Sequence, residues 1–333
     1  IDGGYALMEI DGVYLDSDNP NWASESQSRW QGTVQSAVHG VTRLAAPQVR
    51  SIQDDGYYAN EAGLKITNDT VMEGENQLVN GVHMPAGTIT TTESFYNNRE
   101  GKTVKMTEID LRKLAGYDGT ETPGALPNFP PHLPDNGLLY ASRDDAGELF
   151  QPGIRLANGA LIDKEGGLTV VTEDPLYIQG DYNTDTKKPA AVICDALNIL
   201  ANGWQDTDSG VGLSNAARKA QETTINTAFI AGIDTSDPET GKYNGGLENY
   251  PRLHENWSNV NLNINGAFLA LWDSAIAQGE WHYGSPGSGD SWLAQYTAPR
   301  RIWNYDPIFN NPLTLPPLTP WAVQIQRVAW WKE

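Results

Sequence analysis

The segment Glu248-Asn-Tyr-Pro-Arg-Leu-His-Glu-Asn-Trp257 concentrates more reactive side-chain types than any comparable stretch of the chain. Glu248 and Glu255 could supply the carboxylate pair that cleaves or grips a sugar, with Arg252 as counter-charge and Trp257 as a stacking face. The same residues also admit a purely structural role. Glu248 and Arg252 stand four apart, the spacing of an ion pair on a helix or turn, while Leu253 and Trp257 are core residues.

Carboxylates recur at short spacing in three further places: Asp16 with Asp18, Asp206 with Asp208, and Asp234 with Asp237. Hard oxygen ligands two or three residues apart in a loop can chelate calcium. None of the three completes the twelve-residue loop with its glycine and terminal glutamate, so solvated turns are the simpler reading. Calcium is therefore an optional ligand, and no cofactor is required. Asp181, Asp185 and Asp195 follow strand-like runs, where aspartate is common as a turn residue.

Of the eleven tryptophans, several gather toward the C-terminal end, among them Trp281, Trp292 and Trp303. Such rings stack on sugars or on a partner when exposed, and fill cores when buried. Together with Glu248, Arg252, Glu255 and Trp257 they form the candidate ligand- or partner-binding set. No catalytic residue is assigned.

Other chemistries are excluded by spacing. The five histidines, at 39, 83, 132, 254 and 282, include no pair three or four apart. Gly210-Val-Gly212 and the Gly284–Gly289 stretch lack the Lys-Ser/Thr of a phosphate loop, and no Gly-x-Ser-x-Gly elbow occurs. A single cysteine, Cys194, can build neither a disulfide nor a zinc site within the chain.

Charge narrows the partners. The 333 residues hold 22 Lys plus Arg against 42 Asp plus Glu, a formal net charge of -20. That field repels nucleic acid and anionic lipid and draws cations. No run approaches the ~20 apolar residues of a membrane span. The chain opens on Ile1 without a signal peptide, which predicts a targeting segment upstream.

The elements that must position these residues are read from composition and pattern. Hydrophobic residues make up 39% and charged residues 19%, with 33 glycines, a mixture suited to short strands joined by tight turns. Tyr5–Ile10 before Asp11-Gly12 reads as extended chain entering a hairpin turn, and Trp30, Val34 and Val38 give helical spacing over 28–38. Extended pieces are predicted at 64–67, 77–84 and 88–92. A helix capped by Thr107, with Ile109, Leu111, Leu114 and Ala115 on its apolar side, ends at Gly116. The proline-rich stretch 123–134 can only be a connector.

From Gly137 the texture changes to short apolar runs bounded by Gly, Asn or Asp. They fall at 138–140, 154–156, 160–162, 168–171, 176–178, 190–194, 197–200, 227–230, 262–264 and 267–272. Echoes such as Leu176-Tyr-Ile-Gln-Gly180 and Leu262-Asn-Ile-Asn-Gly-Ala267 predict rungs of a solenoid. A β-sandwich is the alternative. Two insertions interrupt the runs. Residues 203–223 are polar with a short helix at 215–221, and 284–291 form a loop. The tail ends in an alternating strand over 321–331.

Several longer phrases resemble the large soluble domain of PilX-type type IV pilus-assembly proteins. They are Phe95-Tyr-Asn-Asn-Arg-Glu-Gly-Lys102 with Thr107–Leu111, Leu168–Asn183, Pro189–Leu200, Gly245–Arg252 with Glu255-Asn-Trp257, and Tyr296–Pro307. Residues 28–47 are similar as well. The resemblance implies a minor-pilin-like subunit with an N-terminal anchor helix, displayed at the cell surface or in the periplasm and contacting other pilin or pilus-assembly subunits. It carries over no catalytic residue.

The expectation is a mainly β protein, a right-handed parallel β-helix over 137–300. An N-terminal mixed α/β region spans 1–122, a connector 123–136, and a proline-rich tail with a closing strand 301–333. The expected role is structural or adhesive and non-enzymatic. A polysaccharide-binding or polysaccharide-cleaving β-helix is the alternative.

Overall fold

A computed structural model describes residues 7–10, 13–16, 20–31, 49–121, 124–234, 249–279, 281 and 295–320. The chain divides into two compact units, one of residues 1–46 with 320–333 and one of 47–319.

In the smaller unit, strands β1 (Leu7–Ile10) and β2 (Val13–Asp16) pair antiparallel on either side of the predicted Asp11-Gly12 turn. Helix α1 (Trp22–Trp30) ends at Gln31, whose φ of 49° is left-handed and stops the helix. The predicted helix over 28–38 thus begins earlier, and its positions beyond 31 lie outside the described residues. So do the 284–291 loop and the tail strand.

The larger unit is mainly β. Helix α2 (Tyr57–Glu61) leads into β3 (Leu64–Thr67), β4 (Thr70–Glu73) and β5 (Asn76–Leu78), then β6 (Ile89–Asn97) and β7 (Lys102–Asp110). After the short helix α3 (Leu111–Leu114) come β8 (Leu138–Ser142), β9 (Phe150–Ala157), β10 (Leu168–Val171), β11 (Leu176–Gln179), β12 (Ala190–Cys194) and β13 (Leu197–Leu200). The series closes with β14 (Thr223–Ile233), β15 (Arg252–Leu253), β16 (Asn261–Asp273) and β17 (Arg300–Tyr305).

From β7 to β16 successive strands go alternately to two sheets. One sheet runs β17-β16-β14-β12-β10-β8-β3-β4-β5 and the other β15-β13-β11-β9-β7-β6. From β3 to β17 and from β7 to β15 every ladder is parallel. Antiparallel pairing within this unit, the signature of the alternative sandwich, is confined among the described residues to β3-β4-β5 and β6-β7.

Burial on both sides explains the continuous apolar runs. One side of β8, β10, β12 and β14 joins the main core with Leu139, Val170, Val192 and Phe229, facing Leu156, Ile178, Ile199 and Leu253 of the other sheet. The opposite side holds Leu138, Tyr140, Val171, Ile193 and Ile230, covered by Ile52 and Tyr58. Gly167 marks a close approach of neighbouring strands. Its φ is +89°, and a Cβ there would strike the carbonyl oxygen of Pro189.

Some expectations change. Thr107 and Ile109 belong to β7, which pairs with β6 and β9 on its two sides; Asp110 is the helix cap, accepting from Lys113 N at 3.0 Å. The strand's period of two runs straight into a single helical turn, so its apolar residues imitated one longer helix. The 160–162 run forms no strand, and the 262–264 and 267–272 runs fuse into β16. The boundary expected at 122/123 falls inside the larger unit. The reason is hydrogen bonding: β3 and β7 satisfy the backbone edges of β8 and β9.

Candidate functional site

Parallel register places one polar residue from each of β7, β9, β11, β13 and β15 in a single row. Glu108 of β7 pairs with Arg155 of β9, Arg155 with Tyr177 of β11, Tyr177 with Asn198 of β13, and Asn198 with Arg252 of β15. These positions alternate with core residues such as Ile154, Leu156, Ile178 and Ile199, so the row stands on the face turned away from the main core. A bulge in β6 between Glu93 and Tyr96 brings Phe95 onto that face. There it meets Val104, Met106, Tyr177, Leu200 and Trp204 in a separate apolar cluster.

At the β15 end the row is sealed. Arg252 is 3% exposed; it forms an ion pair with Glu100 and donates Nη2 to the carbonyl of Ala277. Glu100 in turn accepts the backbone N–H groups of Gln278 and Gly279, at 3.1 and 2.8 Å. Glu248, the partner expected for Arg252, lies outside the described residues. Arg99 donates to Asn249 and lies over the Tyr296 ring, 5.8 Å from its centre. Burial, reinforced by the neighbouring Arg252, brings its pKa down to about 9.

His254 sits beside Phe95 and Tyr177, with Nε2 2.9 Å from Asn198 Oδ1. The Asn198 amide nitrogen faces the carbonyl of Leu176, so its oxygen is left to accept from the imidazole. Burial, then the charges of Arg99, Arg218 and Arg252, holds the imidazole neutral, well below its ordinary pKa. Arg218 donates Nε to the His254 carbonyl at 2.9 Å. Glu255 accepts from Ala201 N at 2.7 Å, and burial pushes it up to about 8. Asp195 receives the backbone N–H groups of Ala275, Ile276 and Ala277 and anchors that loop.

A proton held near pH 8 suits a general acid. Glu255, however, is 3% exposed, with its bond directed to a neighbouring strand end. Most polar atoms of this centre join chain segments distant in sequence. Trp257 is fully buried, and Trp281 packs on the main core while its Nε1 donates to Tyr296 Oη at 2.9 Å. Trp303 also packs on that core, stacked with Phe268 and lying beneath Arg301. Trp292 lies outside the described residues.

At the β7 end the same row stays open. Arg155 donates Nη1 to Glu108 at 3.1 Å and Nη2 to Ser94 and Asp206 at 2.8 and 2.6 Å. Trp204 Nε1 also donates to Asp206, at 3.0 Å. Burial alone would raise the Asp206 pKa, but Arg155 and these hydrogen bonds draw it below the usual carboxylate value. Glu108, Arg155, Gln179, Trp204, Gln205, Asp206 and Thr207 line a groove of about 370 Å³. A second hollow of about 190 Å³, lined by Asn158, Gln179, Gly180, Asn202 and Gly203 among others, shares Gln179 with it.

The calcium candidates separate. Asp206 is occupied by Arg155, and Asp208 accepts from Gln205 N at 3.0 Å in a capping arrangement. Asp234 is buried, Asp16 ends β2, and Asp18 and Asp237 lie outside the described residues. Among the described residues no three His, Cys, Asp or Glu side chains are grouped to hold a metal ion. Nor is any helix among them long and apolar enough to cross a membrane.

Sequence reasoning missed Glu108, Arg155, Gln179 and Trp204. The available signal was a polar residue inside an apolar run, as in Ile154-Arg155-Leu156 and Tyr177-Ile178-Gln179, where alternation sends it to the opposite face. No protein-family model, curated protein or solved structure matches the chain.

Proposed function

We infer that the larger unit is a right-handed parallel β-helix serving as a rigid, non-enzymatic subunit of a surface-displayed, pilus-type assembly. Alternation of successive strands between two parallel sheets supports the solenoid reading over a sandwich. Handedness follows the strong preference of parallel crossovers. The observation that carries the functional reading is the use made of the ionisable residues around β15. Arg252, His254, Glu255 and Asp195 are buried and bonded to other segments of the fold, the pattern of cross-links in a scaffold. Phrases resembling the PilX-type soluble domain supply the pilus context, with other assembly subunits as partners. Calcium is not required by this reading.

The native gene upstream of the Ile1 codon tests the display model. A short basic leader followed by ~20 apolar residues supports it, whereas a cleavable signal peptide alone contradicts the pilus reading. Incubation with neutral and acidic polysaccharides tests the non-enzymatic part. Release of new reducing or unsaturated ends would overturn it.

A further inference from the structure

The open end of the polar row has a chemistry that the scaffold reading leaves unused. Most of its strong donors are already committed: both Arg155 Nη groups, Trp204 Nε1, and Gln179 Nε2, which reaches the Trp204 carbonyl at 3.3 Å, while Arg155 Nε is buried without a partner. Two of the groups left over, on Glu108 and Gln179, accept hydrogen bonds. Arg155 takes one oxygen of Glu108, whose side chain remains 33% exposed. Gln179 lines both hollows, and its Oε1 is buried without a hydrogen-bond partner. Two carboxylates flank a single guanidinium, so the local charge is one negative. An anionic ligand would meet repulsion from this charge, whereas a hydroxyl-rich ligand brings the donors that Glu108 and Gln179 need.

The lining spans β7, β9, β11 and the turn after β13, three strand spacings or about 14 Å in all. That length and the shared Gln179 suit a linear chain lying across the strands. We propose that this groove binds a linear, uncharged oligosaccharide, with Glu108 and Gln179 accepting from its hydroxyls. The site binds without cleaving. Glu108 and Asp206 are both tied to Arg155, whose charge draws the Asp206 carboxyl below its usual range, the opposite of what a general acid needs.

The test is a glycan array probed with the purified chain, carrying neutral, amino- and uronic-sugar oligosaccharides, followed by calorimetric titration of the best-retained neutral glycan. Retention of at least one neutral series and none of the uronic series is expected. Thr207 is exposed at the rim. Thr207→Trp should obstruct the groove and weaken binding at least tenfold with an unchanged thermal midpoint. Glu108→Gln, which keeps the shape but weakens the acceptor, should also reduce affinity. Absence of retention on every neutral glycan, equal retention of uronic glycans, or unchanged affinity in both variants would overturn the proposal. The array reads the isolated chain, so its outcome is independent of the pilus reading.

Discussion

The two ends of the row Glu108–Arg155–Tyr177–Asn198–Arg252 begin from the same backbone geometry and arrive at opposite uses. At the β15 end Arg252 is enclosed by Glu100, the Ala277 carbonyl and the loop that Asp195 anchors. At the β7 end Arg155 is equally buried, yet its partners Glu108 and Asp206 keep about a third of their side chains in solvent. Register alone therefore does not decide whether a polar row becomes a cross-link or a binding surface. The covering segments do, and here residues 249–257 and 274–279 close one end while 203–207 only border the other.

The comparison breaks most visibly at Arg252. Arg252→Ala should cost roughly 3–5 kcal/mol, since it strands the buried Glu100 carboxylate, and urea denaturation reads the loss. Glu255 sharpens the sealed end through pH. Its folded pKa of about 8 stands above the value of an unfolded glutamate, so the stability it contributes is fully present below about pH 4. That contribution declines as pH rises toward 8, where the buried carboxylate must ionise. Glu255→Gln should flatten this fall, leaving the variant more stable than the parent at pH 8 and close to it at pH 4, as read by thermal melts. His254 acts in the opposite sense. Its folded pKa is depressed, so its contribution is present above the ordinary histidine pKa and fades as the solution is acidified.

Smaller effects belong to sites outside the row. On the first sheet Asn226, Asn265 and Asn304 stand in register, with Asn265 Nδ2 donating to Asn226 Oδ1 at 2.8 Å. Asn265→Ala should cost about 1 kcal/mol in denaturation. Asp110→Ala, which removes the cap of a single helical turn, should cost about 0.5–1 kcal/mol by the same measurement.

Much of the strand layout is legible in the sequence. The runs 168–171, 190–194 and 197–200 match β10, β12 and β13, because burial makes them uniformly apolar and Gly, Asn or Asp bounds them. Strand β7 was hidden because alternation and a helical turn share Ile109–Leu114. The irregular repeat has a physical source as well. Register partners lie much closer in sequence at Leu168 and Ala190 than at Thr223 and Leu262, since insertions leave the ladders between them intact. The site was only half legible. Arg252 and Glu255 declare themselves by type, but the acidic partner of Arg252 is Glu100, far away in the chain, and only the fold brings them together. Glu108 and Arg155 meet through parallel register, which no local spacing encodes.

The central claim is that the charges around β15 hold segments of the fold together. It is tested most directly by a double-mutant cycle of Glu100→Gln and Arg252→Met, followed by urea denaturation. Each single change should destabilise by roughly 3–5 kcal/mol, and the double variant should cost less than the sum of the two by a coupling energy of about 1–3 kcal/mol. Additive costs, or single variants as stable as the parent, would contradict it.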